Sequence, residues 1–159
     1  MAENLGESSL APSHDDEHDD EHGPTGPEYE FAVHARAYWS ESGVHVTPDQ
    51  TWLIEAEGAW TDWTNTCGPE GYAAPKLKLF ESLRRRPAEA WFALIASIGH
   101  DDPAPVAVGQ RLLFRPARAG SLAFYANDIP AMYWNNRDRL IVRLRSVVSF
   151  TGSTGGASV

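Results

Sequence analysis

The chain is poor in cysteine, in long apolar runs and, over its first thirty positions, in any basic residue at all. Cys67 is the single cysteine of 159 residues, so no intramolecular disulfide can form and a disulfide-stapled secreted module is excluded. No stretch approaches the roughly 18 consecutive apolar residues of a membrane span. The opening MAENLGESSL lacks the basic and apolar regions of a signal peptide. The default expectation is a cytoplasmic protein, with export by a non-classical route leaving no legible mark. Lys and Arg are absent from residues 1–30, which hold ten of the 22 acids, so the net charge of −9 is concentrated there. The other 129 residues carry 13 basic and 12 acidic side chains, a net +1. That balance gives no basic patch for nucleic acid, and Arg84, Arg85 and Arg86 read as a solvated surface loop. Nucleophile-elbow, P-loop and dinucleotide motifs are also missing.

What is present divides into three parts: an acidic tail over 1–28, a body over 29–150 and a Gly/Ser-rich end over 151–159. Residues 14–22 read HDDEHDDEH, a repeat with no apolar residue, which cannot bury enough surface to offset its ordering entropy. His14, His18 and His22 reproduce the letters of H-x-x-E-H twice. The metalloprotease mechanism behind that pattern needs a docked helix, and this stretch has no apolar face with which to dock. A solubilising tail is expected, with loose binding of Zn, Ni or Ca ions the alternative.

In the body the apolar period is two. Tyr29, Phe31, Val33, Ala35, Ala37 and Trp39 fall on one face of a half-buried strand, and Val44 with Val46, then Trp52, Ile54 and Ala56, repeat the pattern. Trp91 to Ile98 is a nearly continuous apolar run that predicts a central strand. Leu112 and Phe114, then Leu122, Phe124 and Ala126, then Leu140, Val142 and Leu144 complete a series of short strands separated by Gly and Pro. The fold class is all-β, a small antiparallel β-sandwich of jelly-roll, galactose-binding-like form. One short helix or structured loop is expected near 76–87, where Leu77, Phe80 and Leu83 stand at helical spacing as local packing.

Between the last two strands lies NDIPAMYWNN, residues 127–136. Asp128, Asn135 and Asn136 offer hard oxygen donors that an irregular loop can bring to one centre, which is calcium chemistry. Asp and Asn are also common turn formers, and the spacing leaves both readings open. Trp134 presents an aromatic face suited to a sugar, to the sandwich end or to a protein contact.

Four segments carry a resemblance: GAWTDWTNTCGPEGY (58–72), ALIASIG (93–99), VGQRLLFRPARAGSLAFYANDIP (108–130) and YWNNRDRLIVRL (133–144). In order and spacing they resemble the bacterial calcium-dependent galactophilic lectins, the PA-IL-like family. The resemblance implies a jelly-roll sandwich with one Ca²⁺ at its end, bridging the protein to two hydroxyls of a galactoside. By position, Asp128 would be the carboxylate ligand, Asn135 and Asn136 the amide ligands, Met132 a carbonyl ligand, and Asp62 in the 58–63 turn a second carbonyl. Asp128 and Asn135 would also bond the sugar and Ile129 would line its site, with Trp134, from its place in the loop, an added candidate for the sugar's apolar face.

Two departures stand against a straight transfer. The family's sugar-gripping His and Gln after the Gly-Pro-x-Gly turn are replaced by YAAPKLKL, so neither Lys76 nor Lys78 reproduces them. Arg137-Asp138 follows the paired Asn in place of small residues. The expected function is therefore a non-enzymatic, calcium-dependent carbohydrate-binding module for a galactoside-like or other glycan. The alternatives are an accessory β-sandwich without sugar binding and, further off, a hydrolase using Asp62 with Asp128. Asp101-Asp102 reads as a turn before Pro103, and Cys67 as packing. Individually weak lectin sites lead to an expectation of self-association for multivalency.

Overall fold

The computed structural model describes residues 25–147, so the two ends, with the tail histidines and the Gly/Ser stretch, lie outside the described residues. Two antiparallel sheets pack face to face. In the first, β1 (Thr25–His34) pairs with β9 (Asn136–Val147), and β9 pairs with β3 (Thr51–Asp62). The far edge of β3 is shared by β7 (Arg111–Phe114) at one end and β4 (Asn65–Cys67) at the other. The second sheet has the order β2 (Ser40–Val46), β8 (Gly120–Ala126), β5 (Leu94–Ile98) and β6 (Val106–Ala107). This is the expected all-β sandwich.

The period-two pattern is what places the core. Val33, Ile54, Leu140, Val142 and Leu144 from the first sheet meet Val46, Leu94, Leu122 and Phe124 from the second, all fully buried. Each such side chain contributes about 1.5–3 kcal/mol through removal from water. The alternate positions of β9 face outward, where Arg143 bonds Glu30 at 2.7 Å and Glu57 at 2.8 Å.

Four expectations are corrected. The strand read over Tyr29–Trp39 stops at His34, where a turn closes with Ala37 N donating to the His34 carbonyl at 3.1 Å. Residues 35–39 cross from one sheet to the other: Ala35 lies in the core and Trp39 packs against Ile95 and Tyr125 on the outer face of the second sheet, so apolar alternation continues through the corner and periodicity does not show the break. The Trp91–Ile98 run is strand only from Leu94, because Phe92 takes a φ of 60° that interrupts extended backbone. The segment near 76–87 is a 3₁₀ helix, Pro75–Leu83, but its stripe is not packed: Phe80 is 49% and Leu83 53% exposed. Finally, Arg84–Arg86 is no solvated loop. Arg84 is buried with its guanidinium 4.6 Å from the centre of the Trp91 ring, and Arg85 lies among Tyr38, Trp39 and Tyr125.

Candidate functional site

The site lies where β3 ends and β9 begins. Asp62 and Asn136 are direct partners in that ladder. Opposed residues project to the same face with Cβ atoms about 4.5–5.5 Å apart. Both side chains are buried, Asn136 at 1% and Asp62 at 9% exposure. Asp128 reaches the same place from the end of β8 and is 2% exposed. Asn136 Nδ2 donates to Asp128 Oδ2 at 3.0 Å and to the Ala35 carbonyl at 3.1 Å. Of the three residues expected to cluster, Asp128 and Asn136 are thus in direct contact.

Those two donor contacts fix the orientation of the Asn136 amide, since both hydrogens of Nδ2 are taken. Its Oδ1 is left buried without a partner, and so is Oδ1 of Asn135. A buried acceptor with no donor is costly. Asn136 offers such an oxygen beside the Asp128 carboxylate, and Asn135 offers another from the adjacent position in the chain. Asp128 keeps acceptor capacity as well: Oδ1 takes the Ile129 N–H at 2.7 Å and Oδ2 the Asn136 amide, about half of the lone-pair sites a carboxylate has.

Electrostatics agree with that description. Burial pushes the Asp128 carboxyl up to about 6, with the charge of Asp62 as the second cause. Asp62 is itself raised by burial, offset by the hydrogen bond from Tyr72 Oη at 2.5 Å. No group of three or more His, Cys, Asp or Glu side chains forms a metal cluster among the described residues. The donor set here is different in kind: two carboxylates and neutral amide oxygens, which suits a hard cation such as Ca²⁺.

The remaining expected residues fall around this centre. Met132 and Trp134 belong to a second 3₁₀ helix, Pro130–Asn135, which carries the chain from Asp128 to Asn136. Ile129 is half-buried as the residue before it. Asp62, expected to offer its carbonyl, also has its carboxylate near enough to raise Asp128. Lys76 and Lys78 are exposed on the first 3₁₀ helix. In the place of the missing His and Gln, Tyr72 bonds Asp62 and is anchored by its own N–H to the Trp91 carbonyl at 2.8 Å. That approach is close enough that a Cβ on Gly71, at φ 74°, would stand 2.2 Å from the Trp91 oxygen.

Behind the site, Arg85 acts as a brace. Its guanidinium centre is 3.4 Å from the Tyr125 ring centre, Nη1 donates to the Tyr38 carbonyl at 2.5 Å and to Tyr133 Oη at 3.0 Å, and its N–H donates to the Asp128 carbonyl at 3.2 Å. Cys67 is unsuited to nucleophilic work, because burial pushes its thiol up to about 11.

Comparison with family models finds no match, and none is found among curated proteins. Among solved structures the chain is similar to one described as "EclA N-terminal domain; PllA-like lectin", with 16% identity, a TM-score of 0.60, and coverage of 75% of this chain and 96% of that one. The fold is lectin-like. At that identity the likeness extends to the arrangement of strands and does not carry the calcium-dependent galactophilic family that the motifs resemble.

One residue of the site of this lectin-like fold escaped sequence reasoning. Trp63 and Thr64 form the two-residue connection between β3 and β4, and Trp63 sits there at φ 50° with 68% of its surface exposed. Together with Trp134, 65% exposed, it borders a cleft of about 470 Å³ whose other lining residues are Arg36, Thr64, Asn135, Asn136 and Arg137. The signal was a large aromatic inside the polar turn Asp62-Trp63-Thr64-Asn65, where Gly or Asn is the usual choice. A left-handed backbone costs a bulky residue about 1 kcal/mol, and an indole this exposed recovers little by burial. Trp63→Asn should therefore leave the fold as stable or raise it by up to about 1 kcal/mol in urea unfolding. A clear destabilisation would mean that Trp63 is structural.

Proposed function

We propose that the chain is a calcium-dependent carbohydrate-binding module whose ligand sits on a cation held by Asp128, Asn135 and Asn136. The carboxylate of Asp62 and the carbonyl of Met132 complete the donor set. The observation that carries the reading is the pair of buried, unpartnered Asn oxygens beside Asp128, opening into a cleft bordered by two exposed tryptophans. A bound Ca²⁺ supplies a Lewis-acidic centre that accepts vicinal hydroxyls. Asp128 and Asn135 orient those hydroxyls, Ile129 contacts the ring, and Trp134 covers its apolar face, as aromatic rings do when one side of a ligand is apolar. The lectin-like fold supports the same class of function without fixing it, because a fold hosts many functions.

The test is a glycan array probed in Ca²⁺ and again in chelator. Retention of at least one glycan in Ca²⁺ and its loss in chelator is the expected outcome. If nothing is retained in either condition, the sugar reading is overturned and a metal-binding accessory module stands in its place. The two neighbouring carboxylates also motivate a hydrolase check: turnover of aryl glycosides that vanishes in Asp128→Ala would move the assignment to an enzyme.

A further inference from the structure

The cleft carries a charge pattern that a neutral sugar does not use. Arg36 and Arg137 line it beside Trp63 and Trp134, and its lining contains no acidic side chain. Arg111 and Arg145 face Glu55, Arg118 faces Asp101, and Arg143 faces Glu30 and Glu57, while Arg84 and Arg85 are held against aromatic rings. Arg36 and Arg137 pair with no carboxylate among the described residues. Asp62 and Asp128 flank Asn136, which lines the same cleft, and a divalent cation at that centre would balance those two charges. The rim would then keep an uncompensated positive charge from two guanidinium groups.

Both arginines are placed by the site itself. Arg36 follows Ala35, whose carbonyl accepts from Asn136, so the turn that carries it is tied to the cation-binding amide. Arg137 follows Asn136 and donates from Nη2 to the Trp63 carbonyl at 2.9 Å, which ties its guanidinium to the turn that carries Trp63 and leaves its other N–H groups available. A planar fork of donors held at the edge of an aromatic cleft matches a carboxylate or a sulfate ester better than a hydroxyl.

We propose that the ligand of this site is an anionic glycan, with its apolar ring face between Trp63 and Trp134 and its carboxylate or sulfate on Arg36 and Arg137. The proposal rests on the carbohydrate reading above and narrows it to a substrate class. It also makes Trp63 and the two arginines specificity-determining residues, and it accounts for a tryptophan kept in a left-handed turn.

The experiment is titration calorimetry of the full chain in Ca²⁺ with three probes of one stereochemistry: a neutral methyl hexoside, the matching methyl hexuronoside and the matching sulfated hexoside. At least one anionic probe should bind about tenfold tighter than the neutral one, the scale of a charge-assisted bidentate contact, and the preference should shrink as salt rises. Whichever anionic probe leads identifies carboxylate or sulfate as the group recognised. In Arg36→Gln/Arg137→Gln the preference should fall to near one while the calcium-induced rise in Tm persists. If Arg137→Gln disturbs the Trp63 turn, Arg36→Gln alone should still reduce the preference at least about threefold, half of the effect on a logarithmic scale. Equal or tighter binding of the neutral hexoside overturns this proposal and leaves the carbohydrate reading intact. Binding of none of the three overturns both.

Discussion

Millimolar Ca²⁺ should raise the Tm of the wild-type chain by on the order of 10 °C and leave that of Asp128→Ala unmoved. A ligand that binds only the folded state at a hundredfold excess over its Kd stabilises by about 2.7 kcal/mol, and a domain of this size converts each kcal/mol to a few degrees. The pH dependence follows from Asp128. In the metal-free protein its carboxyl is raised from the ordinary 3.8 to about 6 by burial and by Asp62, so between those values the folded state holds more protons than the unfolded one. Stability from this group is therefore highest below about pH 4 and is lost as pH rises through 6. A cation reverses the trend, because it requires the ionised carboxylate. The calcium-induced shift should be nearly full at pH 7.5 and cut to about half at pH 5, where protonation of a group with a pKa of about 6 weakens binding roughly tenfold. In chelator at pH 7.5, Asp128→Asn should be more stable than wild type by on the order of 2 kcal/mol, since the unfavourable buried charge is removed. Identical wild-type melting curves in calcium and in chelator would sink the cation site, and a shift that grows toward pH 5 would sink the role of Asp128 in it.

How much of this was legible in the sequence varies with the physics of each element. β3 and β9 are half-buried, so Trp52, Ile54 and Leu140, Val142, Leu144 alternate with polar neighbours and announce themselves. The corner at 35–39 is hidden because Ala35 is buried in the core and Trp39 is half-buried on the outer face of the second sheet, so an apolar residue still falls at every second position while the chain changes sheets. Arg84 and Arg85 are hidden for a different reason: a guanidinium is buried here by aromatic rings distant in sequence. At the site, the short spacing of Asp128, Asn135 and Asn136 is local information, since one 3₁₀ turn connects them. Tyr72 and Asp62 meet only because Gly71 lets the chain approach Trp91, and no pattern along the sequence encodes that contact. Trp63 was visible as a letter but not as a wall, because its meaning depends on a backbone dihedral and on Trp134 opposite.

Asn127→Ala should lower stability by about 3–5 kcal/mol, a large share of the roughly 5–15 kcal/mol that holds an ordinary domain together. Asn127 is fully buried at the end of β8, and its side chain holds the 86–90 segment against the sheet. Oδ1 accepts the Arg86 N–H at 2.8 Å, while Nδ2 donates to the carbonyls of Arg86 at 2.9 Å, Ala90 at 2.9 Å and Glu89 at 3.3 Å. Truncation strands the Arg86 N–H and the Glu89 carbonyl, and leaves the Arg86 and Ala90 carbonyls with only the N–H groups of Glu89 and Ala93. The neighbouring residue is Asp128, and the segment follows directly on Arg85, so loosening it also frees the brace behind the proposed cation site. Weaker calcium binding should accompany the loss of stability. Asn127→Asp separates this hydrogen-bond account from simple loss of packing. It has nearly the same shape, yet at neutral pH it turns an acceptor toward three carbonyls and should destabilise at least as much as alanine. On acidification the protonated carboxyl regains one donor, so part of the stability should return, against the trend of alanine measured under the same conditions. Urea unfolding that gives less than about 1 kcal/mol for Asn127→Ala, or an Asn127→Asp variant as stable as wild type at pH 7.5, would mean that the segment finds other partners and is not held by this side chain.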